Sequence, residues 1–343
     1  MFTIEANGIN SFLVNMSKML MQHAVRRETR GFICYELPAP VLIKINNPLA
    51  RHVTVAERKW NYMLPYAESL WIALGRNDVS LPGYYVKNLY NFSDDGLYIR
   101  AGYGSRLRHL SGVSTDYKIG HDENDNTLSN FSLEKTTFNE VDQFKYIESI
   151  FLKDKNTRQA VIDIADQVKD CFDSSQNLKV TKDFPCTRSI QFIINNGKLD
   201  MIVHMRSNDF IWGATAVNIF NFTYMQEYFS NILSCEVGTY YHFVTNFHYY
   251  DNFHNLVERL SKIETVIDPY YRYKASFSSL KEFDILLSNL EDYEYSLRTK
   301  QTSKKHIFQD EFFDDWAMVF YQYHTHSKVE YQSDVLNLLI NGN

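Results

Sequence analysis

Four short segments hold the residues whose types and spacing could do chemistry: NTRQA (156–160), KDFPCTRS (182–189), MRSNDFIWGA (205–214) and NFHYYDN (246–252). A thiolate is the strongest nucleophile among ordinary side chains, so Cys186 is the candidate for covalent catalysis. A guanidinium beside a thiol favours the thiolate and also suits a phosphate, which is the reading for Arg206. His248 and Tyr250 are two apart, so on a strand they share one face. Taken singly, each segment is weak. A cysteine after proline is more often a buried small residue, and an Arg-Ser-Asn-Asp run is usually a polar turn. Their order and spacing carry the weight, including a hairpin between the cysteine and the Arg-Ser pair.

The elements that must position these residues are legible in outline. The strongest local signal is Asn196-Gly197 between SIQFIIN and LDMIVHM, a two-residue hairpin turn flanked by alternating strands. Apolar spacing predicts helices over about 10–25, Thr54–Leu74 and 141–153. It predicts another through AVNIFNFTYMQEYFSNIL. Strands are expected around Gly31–Ile45, in QAVIDIAD and in GTYYHFVTNFHYY. Residues 111–140, rich in Asn and Thr, read as an exposed loop or insertion. The tail reads as mixed helices. The fold class is α+β, a mixed sheet packed with helices. Residues 1–255 are expected to form the catalytic domain and 256–343 a C-terminal extension of it.

The bulk numbers narrow the function classes. The chain has 343 residues, 45% of them hydrophobic, with a net charge of −6. No Lys/Arg block stands out, so a nucleic-acid partner is not expected. No apolar run is long enough to span a bilayer, and the N-terminus reads as an amphipathic helix rather than a signal peptide. Four cysteines without metal-type spacing fit a reduced cytoplasmic protein with no metal. Tyr and Phe, 24 of each, suit a pocket that stacks flat rings as well as a core.

Read together, these segments resemble the thymidylate synthases and their relatives, the deoxycytidylate and cytidylate hydroxymethylases. That family pattern is a Pro-Cys nucleophile, a hairpin, R-S-x-D leading to a glycine and then Asn or Asp, and a later H-x-Y. Here it reads Pro185-Cys186, Arg206-Ser207-Asn208-Asp209, Gly213, Asn218 and His248-Tyr249-Tyr250. Upstream, AESLWIALGRND (67–78) is similar to E-L-L-W-F-x-x-G-x-T-N, and AGYGSRLR (101–108) to V-Y-G-x-Q-W-R. DQFKYIESIFLKDKNTRQAVIDI is similar to the D-Q-L helix and its phosphate segment. The resemblance covers roughly residues 25–255.

The resemblance implies a C5 one-carbon transfer to a pyrimidine nucleoside monophosphate, with 5,10-methylenetetrahydrofolate as co-substrate and a Cys186–C6 adduct. It implies that Arg30, Arg158, Arg206 and Ser207 hold the phosphate. Arg158 would reach in from the other subunit of a sheet-mediated homodimer. The second arginine of the family's usual pair is Gln159 here. His248 and Tyr250 would hold the sugar, with Asn246 in place of the family's acid, which leaves ribose against deoxyribose open. Glu68 would organise protons near the base, otherwise being a helix-surface Glu. Tyr103 would assist proton abstraction at C5, or simply pack. Asp209 would contact the pterin, or stabilise a turn. Trp71, Leu89 and Phe92 would line the folate side.

Asn218 is the expected base reader, since an amide donates to O4 and accepts from N3–H of uracil. The stretch from Gly213 to Asn218 has one residue more than the family's G-x-P-F-N spacing, so either it bulges or another residue reads. Asn221 is the substitute, or else helix surface. The segment before Tyr103, NLYNFSDDGLYIRAGYG, has no tryptophan to shield the transferred carbon. Leu89 and Phe92 stand at the matching distance. That favours hydroxymethylation of a uridylate, with dUMP the expected substrate, over reductive methylation to dTMP; cytidylate hydroxymethylation and a non-catalytic nucleotide-binding regulator are the further alternatives.

Overall fold

The computed structural model describes residues 1–29, 31–120 and 140–342. The expectations for Arg30 and for most of the 111–140 insertion lie outside the described residues. Eight strands form one mixed sheet: β1 (Phe2–Ala6), β2 (Val25–Thr29), β3 (Phe32–Glu36), β4 (Val41–Ile45), β5 (Val161–Asp163), β6 (Thr187–Asn195), β7 (Lys198–Asp209) and β8 (Glu236–Tyr250). Their order is β1-β4-β8-β7-β6-β5, with β3 on the far end of β8 and β2 beyond it. The long strands β7 and β8 run parallel at the centre, and the strands β6 and β7 are the expected hairpin. Its turn residues Asn196 and Gly197 have φ of 50° and 76°. Both lie in the left-handed region that a two-residue hairpin requires, which Asn and Gly tolerate best.

One face of the sheet is dry. Ile190, Phe192, Met201, Val203, Tyr240 and Val244 point into the core, where helices α1 (Ile9–His23) and α5 (Ile219–Ile232) cover them. Helix α5 is apolar nearly all round and buried nearly all round, as a central helix must be. The alternate residues Leu42, Gln191, Ile202, His204, Tyr241 and Phe243 are left half-buried on the other face.

The helix expected over 54–74 is divided. A 3-10 turn (Ala56–Arg58) ends at Lys59, whose φ is +45°, and helix α2 starts only at Met63 and runs to Ala73. The break has a tertiary cause. Arg58 Nη2 donates to Ile211 O at 2.6 Å and Trp60 Nε1 to Ala216 O at 2.9 Å, pinning this stretch across the segment that follows β7. Two further helices, α3 (Tyr103–Arg108) and α4 (Gln143–Lys153), pack beside α2 and β5.

The tail continues the same core. Helix α6 (His254–Ser261) packs on α1, while α7 (Leu280–Arg298) and α8 (Glu311–Thr325) pack on α2 and α5. Phe312 stacks on Tyr224 at 4.5 Å, and Phe283 on Tyr228 at 4.6 Å. Each such buried ring contributes about 2 kcal/mol by leaving water. Buried ion pairs cross the same boundary: Arg108 to Asp284 at 2.9 Å and Arg76 to Glu291 at 2.7 Å.

Candidate active site

A cavity of about 180 Å³ opens where α2, α3, the loop before β6 and the segment after β7 meet. Seven of the expected residues line it: Glu68, Trp71, Leu89, Phe92, Tyr103, Cys186 and Asn218. Its polar groups are Glu68, Tyr103, Asp183, Cys186 and Asn218; the remaining wall is apolar or glycine. The distribution suits a flat heterocycle held at its edge by polar groups and flanked by ring-stacking surface.

Cys186 sits just before β6, half-buried, with Sγ 3.6 Å from Arg206 Nη2. Arg206 lies on the neighbouring strand β7. It is fixed there by donating from Nε to Pro185 O at 3.0 Å and from Nη2 to Phe184 O at 2.9 Å. Its guanidinium also lies 5.0 Å from the Phe184 ring centre. A cation is thus locked beside the sulfur by the backbone of the loop that carries it.

Glu68 is half-buried on α2, and desolvation pushes its carboxyl up to about 7. Its Oε2 accepts from Asn221 Nδ2 at 2.7 Å, and Asn221 Oδ1 accepts in turn from Ser69 at 2.9 Å. Asn221 is therefore a buried partner of Glu68, not the helix surface expected of it. Tyr103 stacks on Phe222, and its hydroxyl accepts from Thr187 N at 3.2 Å. Burial raises its ionisation well above the ordinary tyrosine range, so the phenol stays protonated.

Asn218 heads a buried chain of hydrogen bonds. Its Nδ2 donates to Asn208 Oδ1 at 3.0 Å; Asn208 Nδ2 meets His242 Nε2 at 2.8 Å, and His242 Nδ1 meets the Tyr240 hydroxyl at 2.7 Å. Burial depresses His242 to about 3, so its ring is neutral and can accept from Asn208. Gly213 makes this possible, because a Cβ there would collide with Asn208 Oδ1.

A thymidylate synthase family profile matches residues 49–331. The chain belongs to the thymidylate synthase family. The match runs through α7 and α8, beyond the stretch in which motifs were readable. Among curated proteins, the chain is 33% identical over 262 residues to the deoxyuridylate hydroxymethyltransferase of Bacillus phage SP01, covering 71% of this chain and 62% of that one. It is 30% identical over 264 residues to the deoxyuridylate hydroxymethyltransferase of Pseudomonas phage M6, covering 77% and 66%. It is 27% identical over 237 residues to that of Delftia phage PhiW-14, covering 67% and 57%. The chain thus spans roughly three-fifths of the length of these relatives.

The structure accounts for this member's departure from the thymidylate synthase family spacing. Residues Phe210–Asn218 form a π-helix, in which Ile219 N–H donates to Ala214 O five residues back. A π turn absorbs one residue more than an α turn does, and such insertions concentrate at functional sites. The extra residue is taken up before Asn218, which still faces the cavity.

Other expected residues lie apart from the cavity. Asp209 caps the π-helix, accepting from Trp212 N, and burial pushes its carboxyl up to about 6. Ser207 pairs in register with Asn246, and Asp209 with His248, where β7 and β8 run side by side. His248 and Tyr250 share one face of β8, their rings 5.4 Å apart, and His248 Nδ1 meets Asn246 Oδ1 at 2.9 Å. Arg158 is exposed on the loop before β5, with no contact to the cavity. Two nearby residues were not singled out from the sequence. Asp183 lines the cavity, and Arg188 lies 5.8 Å from the Phe184 ring, with Nη1 buried and without a hydrogen-bond partner. Both belong to the KDFPCTRS segment, and their spacing from Cys186 was the available signal.

Among the described residues, no group of His, Cys, Asp and Glu could hold a metal ion, and no helix is long and apolar enough to cross a membrane.

Proposed function

We propose that this chain hydroxymethylates deoxyuridylate at C5, through a covalent bond between Cys186 Sγ and C6 of the base. The observation that carries the reading is the cavity itself. It gathers a thiol with an adjacent guanidinium, a carboxyl near neutrality, a protonated phenol and an anchored amide around one apolar slot. A pyrimidine C5 is a poor nucleophile, and adding a thiolate at C6 turns it into an enolate-like carbon. Asn218 presents an amide to the uracil edge, with Nδ2 oriented by Asn208. Glu68, poised at about 7, exchanges protons with the ring, and the Tyr103 hydroxyl is placed to help remove the C5 proton.

Methylenetetrahydrofolate is the second substrate and supplies the one-carbon unit. Trp71, Ile72, Leu89 and Phe92 give its pterin an apolar wall. Hydroxymethylation is favoured over methylation because Leu89 and Phe92, not tryptophans, border the cavity there, which leaves the transferred carbon open to water. The phage relatives named deoxyuridylate hydroxymethyltransferases agree with this product.

The phosphate falls to Arg206, Ser207 and Arg188, since Arg206 and Arg188 both lie against Phe184. Arg158 would serve the site of a second copy docked on the half-buried sheet face around Ile202, His204 and Phe243; its exposure in the single chain supports this. The test is an assay of dUMP, dCMP, UMP and CMP with methylenetetrahydrofolate, read by product mass. Hydroxymethyl-dUMP with tetrahydrofolate regenerated is expected. Formation of dTMP with dihydrofolate would make the chain a methylating synthase instead.

A further inference from the structure

One polar group of the cavity has no part in the chemistry above. Asp183 stands three residues before the nucleophile on the same loop and lines the same cavity as Leu89 and Phe92. One carboxylate oxygen, Oδ2, accepts from Ala101 N at 2.8 Å, which fixes the side chain. The other, Oδ1, takes no hydrogen bond from the described residues and is not sealed from solvent. Glu68 likewise leaves Oε1 open, but that carboxyl serves the ring; Asp183 holds its open acceptor on the nucleophile's own loop, in a slot walled by Leu89, Phe92, Ile99 and Phe184. An oxygen that is open to solvent and beside the nucleophile can hold a water.

We propose that Asp183 is the catalytic base of the hydration step, holding the water that adds to the transferred carbon. The proposal rests on the hydroxymethylase reading. When the carbon has been delivered and its carrier eliminated, the Cys186-bound nucleotide carries an exocyclic methylene at C5, conjugated with the C4 carbonyl. The water oxygen bonds to that methylene carbon while its proton passes to Asp183 Oδ1. The methylene π pair moves between C5 and C4, giving an enolate. The enolate then restores the C4 carbonyl and forms the C5–C6 double bond as the C6–S bond breaks, and Cys186 leaves as thiolate. The net change is addition of one water and release of the thiol, with no oxidant or reductant. Burial raises the Asp183 carboxyl above the ordinary aspartate value, which makes it a better base for a bound water.

The experiment is a single turnover, quenched once the wild type has finished, with the full chain in excess over [5-³H]dUMP and methylenetetrahydrofolate present, comparing wild type with Asp183→Asn and Asp183→Leu. Tritium release reports the steps up to loss of the C5 proton, and product mass reports hydration. In both variants, hydroxymethyl product per tritium released should fall about 100-fold, the usual worth of a general base. Binding of dUMP, measured by calorimetry, checks that each variant is folded. An unchanged ratio in both variants overturns the proposal, and so does a parallel loss of tritium release and product. If the wild type itself makes dTMP, the functional reading fails, an outcome the wild-type product alone reveals.

Discussion

Arg206 Nη2 lies 3.6 Å from Cys186 Sγ, and the same guanidinium donates to the carbonyl oxygens of Phe184 and Pro185. The charge and the loop geometry thus depend on one side chain. Arg206→Ala is expected to slow alkylation of Cys186 by iodoacetamide at neutral pH about tenfold, as one lost charge-assisted contact of about 1.5 kcal/mol implies. Arg206→Lys should recover part of that rate, because it restores charge without the fork. Equal alkylation rates in all three proteins would remove Arg206 from thiolate stabilisation. Cys186→Ser should bring tritium release from labelled dUMP to background while dUMP still binds.

Glu68 carries a pH signature. Its carboxyl is raised from 4.5 to about 7 by burial, so the folded protein holds this proton where the unfolded chain has lost it. The stability it confers is complete below about 4.5 and is lost as the pH rises through about 7. Glu68→Gln removes that dependence. Its stability relative to wild type should therefore climb by up to about 3 kcal/mol between pH 4.5 and 7.5, measured by urea denaturation across that range. The same substitution should flatten the pH–rate profile near 7 and lower turnover. A constant stability difference across the range would mean that the carboxyl titrates normally.

The chain Asn218–Asn208–His242–Tyr240 makes base choice a property of four residues. Reversing the Asn218 amide to read cytosine sets its carbonyl against Asn208 Oδ1, unless Asn208 and the His242 tautomer reverse as well. Asn208→Ala should therefore cut the preference for dUMP over dCMP about fivefold, the worth of one hydrogen bond near 1 kcal/mol. Asn218→Asp should shift preference toward dCMP, since a carboxylate cannot donate to O4. Competition binding with the two nucleotides checks both; an unaltered ratio in Asn208→Ala would show that Asn218 holds its orientation unaided.

Arg108 ties α7 to the catalytic half. It is buried, with Asp284 at 2.9 Å and Asp142 at 3.0 Å. Arg108→Ala leaves two carboxylates without their cation and should cost about 3–5 kcal/mol, seen as a lower denaturation midpoint. Adding Asp284→Asn should recover part of the loss. Strict additivity of the two would mean that the pair is not coupled.

The sequence by itself determined that Arg206 meets Cys186 and that His248 and Tyr250 share a face. The hairpin follows from Asn196-Gly197 between alternating strands, and its length brings Arg206 beside Cys186. The same face for His248 and Tyr250 follows from the two-residue period of a strand. These are local rules, and they act within a dozen residues or across one turn. Only the tertiary structure decided the rest, because each remaining feature depends on a partner distant in the chain. Asn221 looks like a polar position on a helix until Glu68, 153 residues earlier, is placed against it. The helix expected from Thr54 breaks because Arg58 and Trp60 find carbonyls on the π-helix. The extra residue before Asn218 is taken up by a π turn in which Gly213 lies against Asn208. Residues 256–343 have an amphipathic pattern that predicts helices, but which surface those helices cover was fixed by complementary buried charges and rings on α2, α3 and α5.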